Sequence, residues 1–231
     1  MSLDLTMFLV SLAVCGVAGL GVPTLVRAVP EPENDDEPKE LYADVAALPG
    51  LAWKAALFSA VIGGVVAATV GATWHLLVLL PLVPVGVALG LVDWRTRLLP
   101  TRIIAPTYAL VIVGVLVVWA VTGDTSDLAR AGLGWVIAGF LFFVLWFVHP
   151  RGLGYGDVRL SGILGIALGH VGWGELFVGV YAGFLLGGVG GLLLSRLRIV
   201  ERKDYPFGPF MLVGVLVGLL VGPAAAAYYN R

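Results

Sequence analysis

Eight stretches of this chain are too long and too apolar to rest in water. They run over about 5–27, 52–72, 74–92, 103–122, 132–148, 158–172, 175–195 and 209–229. A helix needs about 20 apolar residues, with a range near 17–25, to cross a bilayer. Only helices and closed barrels satisfy their own backbone polar groups in hydrocarbon. The pattern predicts an all-α fold, a polytopic transmembrane helical bundle of about eight spans. The sixth run is the shortest, and its turn at His170–Gly174 also fits a re-entrant segment. Charge supports the reading, since 13% of the 231 residues are charged against about 25% in a soluble domain.

Eight spans bring both termini to one side. With the N-terminus extracytoplasmic, the segments near 27–54, 93–102, 149–159 and 196–208 face the cytoplasm. Of the 14 Lys and Arg residues, this leaves only Arg130 and Arg231 outside, which is the bias that sets orientation in membrane proteins. Each of the seven tryptophans falls within a few residues of a predicted span end, where an apolar ring with a polar N–H belongs. The first ten residues hold no Lys or Arg, so the first run reads as a retained helix rather than a cleaved signal peptide. Net charge is −1, which predicts no nucleic-acid partner. The partner that the spans demand is membrane lipid.

Residues 1–29 read as a first transmembrane helix, 30–50 as a short acidic cytoplasmic linker, and 51–231 as the main transmembrane domain. The linker carries Glu31, Glu33, Asp35, Asp36, Glu37, Glu40 and Asp44 against one Lys39, a composition that reads as a mobile, solvated tether. A sharper reading makes it an electrostatic landing site for a basic peptide. Glycines recur every four residues at Gly179, Gly183, Gly187 and Gly191, again at Gly214, Gly218 and Gly222, and at Gly165 and Gly169. Such stripes let neighbouring helices approach closely. With one cysteine and no Cys or His cluster, no metal site is expected.

Two aspartates stand out. Asp93 lies where the third span leaves for the cytoplasm, and Asp157 where the sixth enters from it. A carboxylate in a transmembrane segment costs roughly 2.5–3.5 kcal/mol at a helix centre, so one placed there is a functional candidate. Two on one membrane face suit an acid/base pair that activates water. One would accept a proton from water while the other protonates a carbonyl oxygen. Close like charges raise one pKa of such a pair. Gly154 and Gly156 precede Asp157 and allow positive φ or close approach of another chain. Asp157 also suits a helix N-cap, and Asp93 beside Arg95 and Arg97 suits an ordinary helix end. A second function class, proton-coupled transport with the aspartates as a relay, would place its carboxylates nearer the midplane.

Three motifs resemble those of the prepilin peptidase (type IV leader peptidase) family of GxGD-type intramembrane aspartic proteases. Gly154-Tyr155-Gly156-Asp157-Val158-Arg159-Leu160 is similar to the second catalytic motif. Asp93, followed by Arg95, Leu99 and Pro100, is similar to the first. Lys203-Asp204-Tyr205-Pro206-Phe207-Gly208-Pro209-Phe210 resembles the loop before the final helix. The resemblance implies an aspartic endopeptidase domain at 51–231 with Asp93 and Asp157 as its catalytic pair and no cofactor. It implies Pro206, Gly208 and Pro209, with Gly154 and Gly156, as parts of a substrate groove. Substrates would be prepilin or pseudopilin precursors, cut at the cytoplasmic edge of the inner membrane. Thr101 stands where the family usually has Asn or Asp, and Arg159 where it often has Lys. The first cytoplasmic loop lacks the two cysteine pairs of bifunctional members, so the N-methyltransferase step is not expected.

Overall fold

A computed structural model describes residues 3–31, 40–150, 152–196 and 206–229. The helices run α1 (Leu3–Gly19), α2 (Val22–Arg27), α3 (Tyr42–Ala46), α4 (Leu51–Val70), α5 (Leu76–Thr96), α6 (Thr101–Thr122), α7 (Thr125–Val148), α8 (Tyr155–Val171), α9 (Trp173–Arg196) and α10 (Gly208–Tyr229). No strand occurs among the described residues. Among these residues, seven helical stretches are long and apolar enough to cross a membrane, with α1 and α2 together forming one. The remaining predicted span, the sixth run, is α8. Its 17 residues rise about 26 Å at 1.5 Å each, close to the thickness of the hydrocarbon core.

The chain divides into two compact units, Met1–Leu110 and Val111–Arg231. In the first, α1 packs along α4, and α5 joins both. Ser11, Cys15, Gly19, Val22 and Val26 form a buried stripe at three- and four-residue spacing, the signature of one helical face. Gly19 leaves no room for a side chain: a Cβ there would come within 2.7 Å of the Ala55 carbonyl. The predicted run 5–27 breaks at Leu20–Gly21. Pro23 enters the first turn of α2, lacks an N–H and crowds the carbonyl four residues before it. Two further prolines, Pro81 and Pro84, sit inside α5. Pro84 has no N–H for the Leu80 carbonyl, and the Cys15 thiol donates to that oxygen instead at 3.6 Å. Side chains from neighbouring helices commonly re-satisfy backbone groups freed by a membrane proline.

Part of the acidic linker is built rather than mobile. Glu31 accepts hydrogen bonds from the N–H groups of Tyr42 (3.0 Å) and Ala43 (2.9 Å), the first two residues of α3. Helices leave these N–H groups unpaired, so a carboxylate there acts as a cap. Tyr42, Val45 and Ala46 are buried. The acidic core of the linker, 32–39, lies outside the described residues.

In the second unit α7 packs on α8, and α9 on α10. The glycine stripes perform the predicted task. A Cβ on Gly165 would run into the Gly134 carbonyl and the reverse holds for Gly134, so these backbones touch. Gly214 meets Gly183, and Gly218 meets Gly179. Gly187 instead lies under the Phe207 ring. That ring also contacts Phe142 at 5.9 Å and Phe184 at 6.4 Å between centroids. The structure moves one tryptophan. The predicted seventeen-residue run 132–148 is a 24-residue helix starting at Thr125, so Trp135 lies near its middle rather than at an end. The extra turns follow from Asp124, whose carboxylate caps α7 through the N–H groups of Ser126 (2.8 Å) and Asp127 (3.3 Å).

Candidate active site

Asp93 lies in the last turn of α5 and is 4% exposed. The turn closes on itself. Arg97 adopts a left-handed conformation (φ 60°) and its N–H donates to the Asp93 carbonyl at 2.8 Å. The Thr96 hydroxyl donates to the Val92 carbonyl at 2.8 Å and accepts from the Leu98 N–H at 3.3 Å. Pro100 then opens α6, its carbonyl accepting from Ile103 (3.0 Å) and Ile104 (3.1 Å). Leu99 and Pro100 therefore form a buried corner between helices, and Thr101 is exposed at the first position of α6. On the same turn as Asp93, Arg95 pairs with Glu40 at 3.1 Å.

Asp157 lies in the first turn of α8 and is 6% exposed. Gly154 is the N-cap, Tyr155 and Gly156 follow, and Asp157 is the third helical residue. The Asp157 carboxylate accepts from the Gly154 N–H at 3.0 Å, while the Asp157 N–H donates to the Gly154 carbonyl at 3.1 Å. This is half of a capping box, with the acid reaching back to the N-cap backbone. Neither glycine uses positive φ: Gly154 sits at φ −76°, ψ 149°, and Gly156 is helical. What Gly154 supplies is space, because a Cβ there would lie 3.3 Å from the Asp157 carboxylate. One turn further, the buried Ser161 hydroxyl donates to the Val158 carbonyl at 2.7 Å.

A stack missing from the sequence reading flanks this turn. Arg159 lies over the Tyr155 ring at 5.5 Å, and Tyr155 meets Trp146 at 5.1 Å. The Tyr155/Arg159 spacing of four residues was the available signal, since such pairs face each other on a helix. His149 caps the end of α7, exposed, with its ring against Gly152. Pro206 and Gly208 are buried and Pro209 lies in the first turn of α10. Between them, Phe207 plugs the core of the unit. Lys203, Asp204 and Tyr205 lie outside the described residues.

Residues 80–192 match the model of the Type IV leader peptidase family. The matched segment is similar to that family. It contains Asp93 and the whole Gly154–Asp157 turn, whereas Pro206–Pro209 fall beyond it. Among curated proteins, the chain is similar to the "Prepilin leader peptidase/N-methyltransferase" of Aeromonas salmonicida, at 32% identity over 75% of this chain and 59% of that one. Proteins of the same description from Pseudomonas putida (33%, 71% of this chain, 56% of that one) and Pseudomonas aeruginosa (31%, 75% and 59%) also match. The chain thus spans about three-fifths of the length of these relatives. No solved structure matches it significantly. Family and apolar helices together make this an integral membrane protein.

Proposed function

We propose that this protein is a membrane aspartic endopeptidase that removes the basic leader from prepilin-like precursors. One observation carries the reading. Two buried carboxylates, Asp93 and Asp157, occupy the last turn of α5 and the first turn of α8, inside the segment that matches the leader-peptidase family. Two helices, α6 and α7, separate them in the chain. If each crosses once, both aspartates return to the same membrane face, and the distribution of basic residues makes that face cytoplasmic.

In this reading one carboxylate takes a proton from water and the other gives one to the scissile carbonyl oxygen, and no cofactor is needed. The site lies at the inner membrane, with the N-terminus extracytoplasmic. The Gly154 N–H holds one oxygen of Asp157, which leaves the carboxylate a fixed orientation toward substrate. Leader cleavage proceeds without N-methylation in this proposal. Its support is the linker, which holds acids where bifunctional relatives hold cysteines. The landing role for a basic leader falls to Glu33, Asp35, Asp36, Glu37 and Asp44, since Glu31 and Glu40 are engaged within the chain.

The deciding experiment incubates the purified protein, in lipid, with a prepilin-like peptide beside Asp93→Asn and Asp157→Asn. The native chain should cut between leader and apolar helix, and each variant should leave the peptide whole. Uncut peptide with the native chain refutes the proposal. Replacing these five linker acids with Ser or Gln should raise KM and flatten its salt dependence. An unmoved KM would make the linker a tether only.

A further inference from the structure

Asp93 stands on the least secure part of its helix. The last turn of any helix lacks partners for its final carbonyls and opens most readily. A carboxylate used in proton transfer has to be held more firmly than that, because small displacements of a reacting group are costly. The fold supplies an outside support at this point. Residues 40–46 form a strap beside the end of α5, with α3 packed on α2 and α5 through the buried Tyr42, Val45 and Ala46.

Two carboxylates hold the strap, and they do different things. Glu31 grips its start by accepting from two successive N–H groups of α3. Glu40 reaches outward to Arg95, whose backbone belongs to the turn that carries Asp93. The pair is about one-third exposed on each side, and an exposed pair of this kind shifts an equilibrium by up to about fivefold. That is small for a whole fold but large for the opening of one helical turn, whose own equilibrium lies near balance.

We propose that Glu40 and Arg95 are positioning residues: through their ion pair the α3 strap keeps the last turn of α5, and Asp93 with it, closed. The catalytic half of this statement rests on the peptidase reading above. The strap itself rests only on geometry within the first unit. A solvated tether would have no need of a buried face, a capped start and an ion pair with the turn beside Asp93.

The test uses the full chain in lipid nanodiscs, with Glu40→Gln, Arg95→Gln and the exchanged pair Glu40→Arg with Arg95→Glu. Hydrogen exchange is followed at residues 42–46 and 93–97, alongside cleavage of a prepilin-like peptide. Each single variant should speed exchange at 93–97 by about three- to fivefold. Each should also lower kcat by a similar factor with KM unchanged within about twofold. The exchanged pair should restore most of both. Native exchange rates in Glu40→Gln would overturn the proposal. So would a loss that the exchanged pair does not recover, or a change confined to KM, which would place Glu40 in leader recognition instead. If the native chain leaves the peptide uncut, the peptidase reading fails by itself. Exchange then decides the strap: faster opening at 93–97 supports it, and an unchanged rate overturns it.

Discussion

Gly154 and Asp157 bond to each other twice. The glycine N–H donates to the aspartate carboxylate at 3.0 Å, and the aspartate N–H donates to the glycine carbonyl at 3.1 Å. The ring formed by these bonds fixes the carboxylate against its own backbone. Gly154→Ala should test how finely that orientation matters. The backbone at φ −76°, ψ 149° accepts alanine, and the N–H is kept. The new Cβ, 3.3 Å from the carboxylate, forces a shift of a few tenths of an ångström. We expect kcat to fall about tenfold, within the range that sub-ångström misplacement produces. Thermal stability should stay within about 1 kcal/mol of native, in keeping with a surface turn. Peptide cleavage and thermal unfolding measure the two effects separately.

The touching backbones of α7 and α8 give a second prediction. Gly134→Leu must separate two helices that meet carbonyl to Cα. Overpacking of this kind costs about 1–3 kcal/mol. Gly132→Leu, on the same helix with open space around it, should cost little. Unfolding in mild detergent should rank the pair in that order.

Asp124 gives a prediction in acid. The Ser126 hydroxyl, followed by the backbone N–H groups of Ser126 and Asp127, holds its carboxyl below the ordinary 3.8. A depressed value means that the cap contributes fully above the unfolded value and is lost as pH falls through the folded one. Asp124→Asn, also a good cap, should remove this acid dependence while keeping α7 intact. Asp124→Ala should weaken the start of the helix at neutral pH as well. Carboxyl chemical shifts of Asp124 against pH, with unfolding of the three proteins across the same range, check both statements.

Tyr42 gives the opposite sign. Burial, with the negative charge of Glu31 second, pushes its hydroxyl above the ordinary 10.0. The protonated phenol therefore supports the strap below the unfolded value, and that support disappears as pH rises through the raised one. Phenolate absorbance should develop later than in a free tyrosine. Cleavage of the 40–46 segment by an alkaline-active protease should increase in parallel, and Tyr42→Phe should remove the step.

Much of this was legible in the sequence because membranes impose length and polarity so strictly. The spans needed only counting, and α8 was found even at 17 residues. The regular stripes at Gly214, Gly218 and Gly165 announced close packing. Gly134 did not, since α7 carries glycines at 132, 134 and 139 without four-residue spacing. Trp135 misled because Asp124, eleven residues upstream, draws extra polar turns into the helix. The strap was hidden for a different reason. Its five helical residues, YADVA, are held by Glu31 eleven residues earlier and by Arg95 on another helix, and composition cannot report such distant partners. At the candidate site, the motif located both aspartates. Of the two services read for Gly154, the positive φ is absent, and the glycine gives room for a carboxylate instead.

The Cys15 contact has a practical side. The chain's one thiol is 1% exposed and occupied with the Leu80 carbonyl, deep in a helix interface. The protein thus comes with a silent background for thiol chemistry. A cysteine introduced at an exposed place such as Thr101 or His149 would be open to a spin label or fluorophore while Cys15 is not. Pairs of such labels could follow each aspartate-bearing helix end while a leader peptide binds, with the native thiol left untouched.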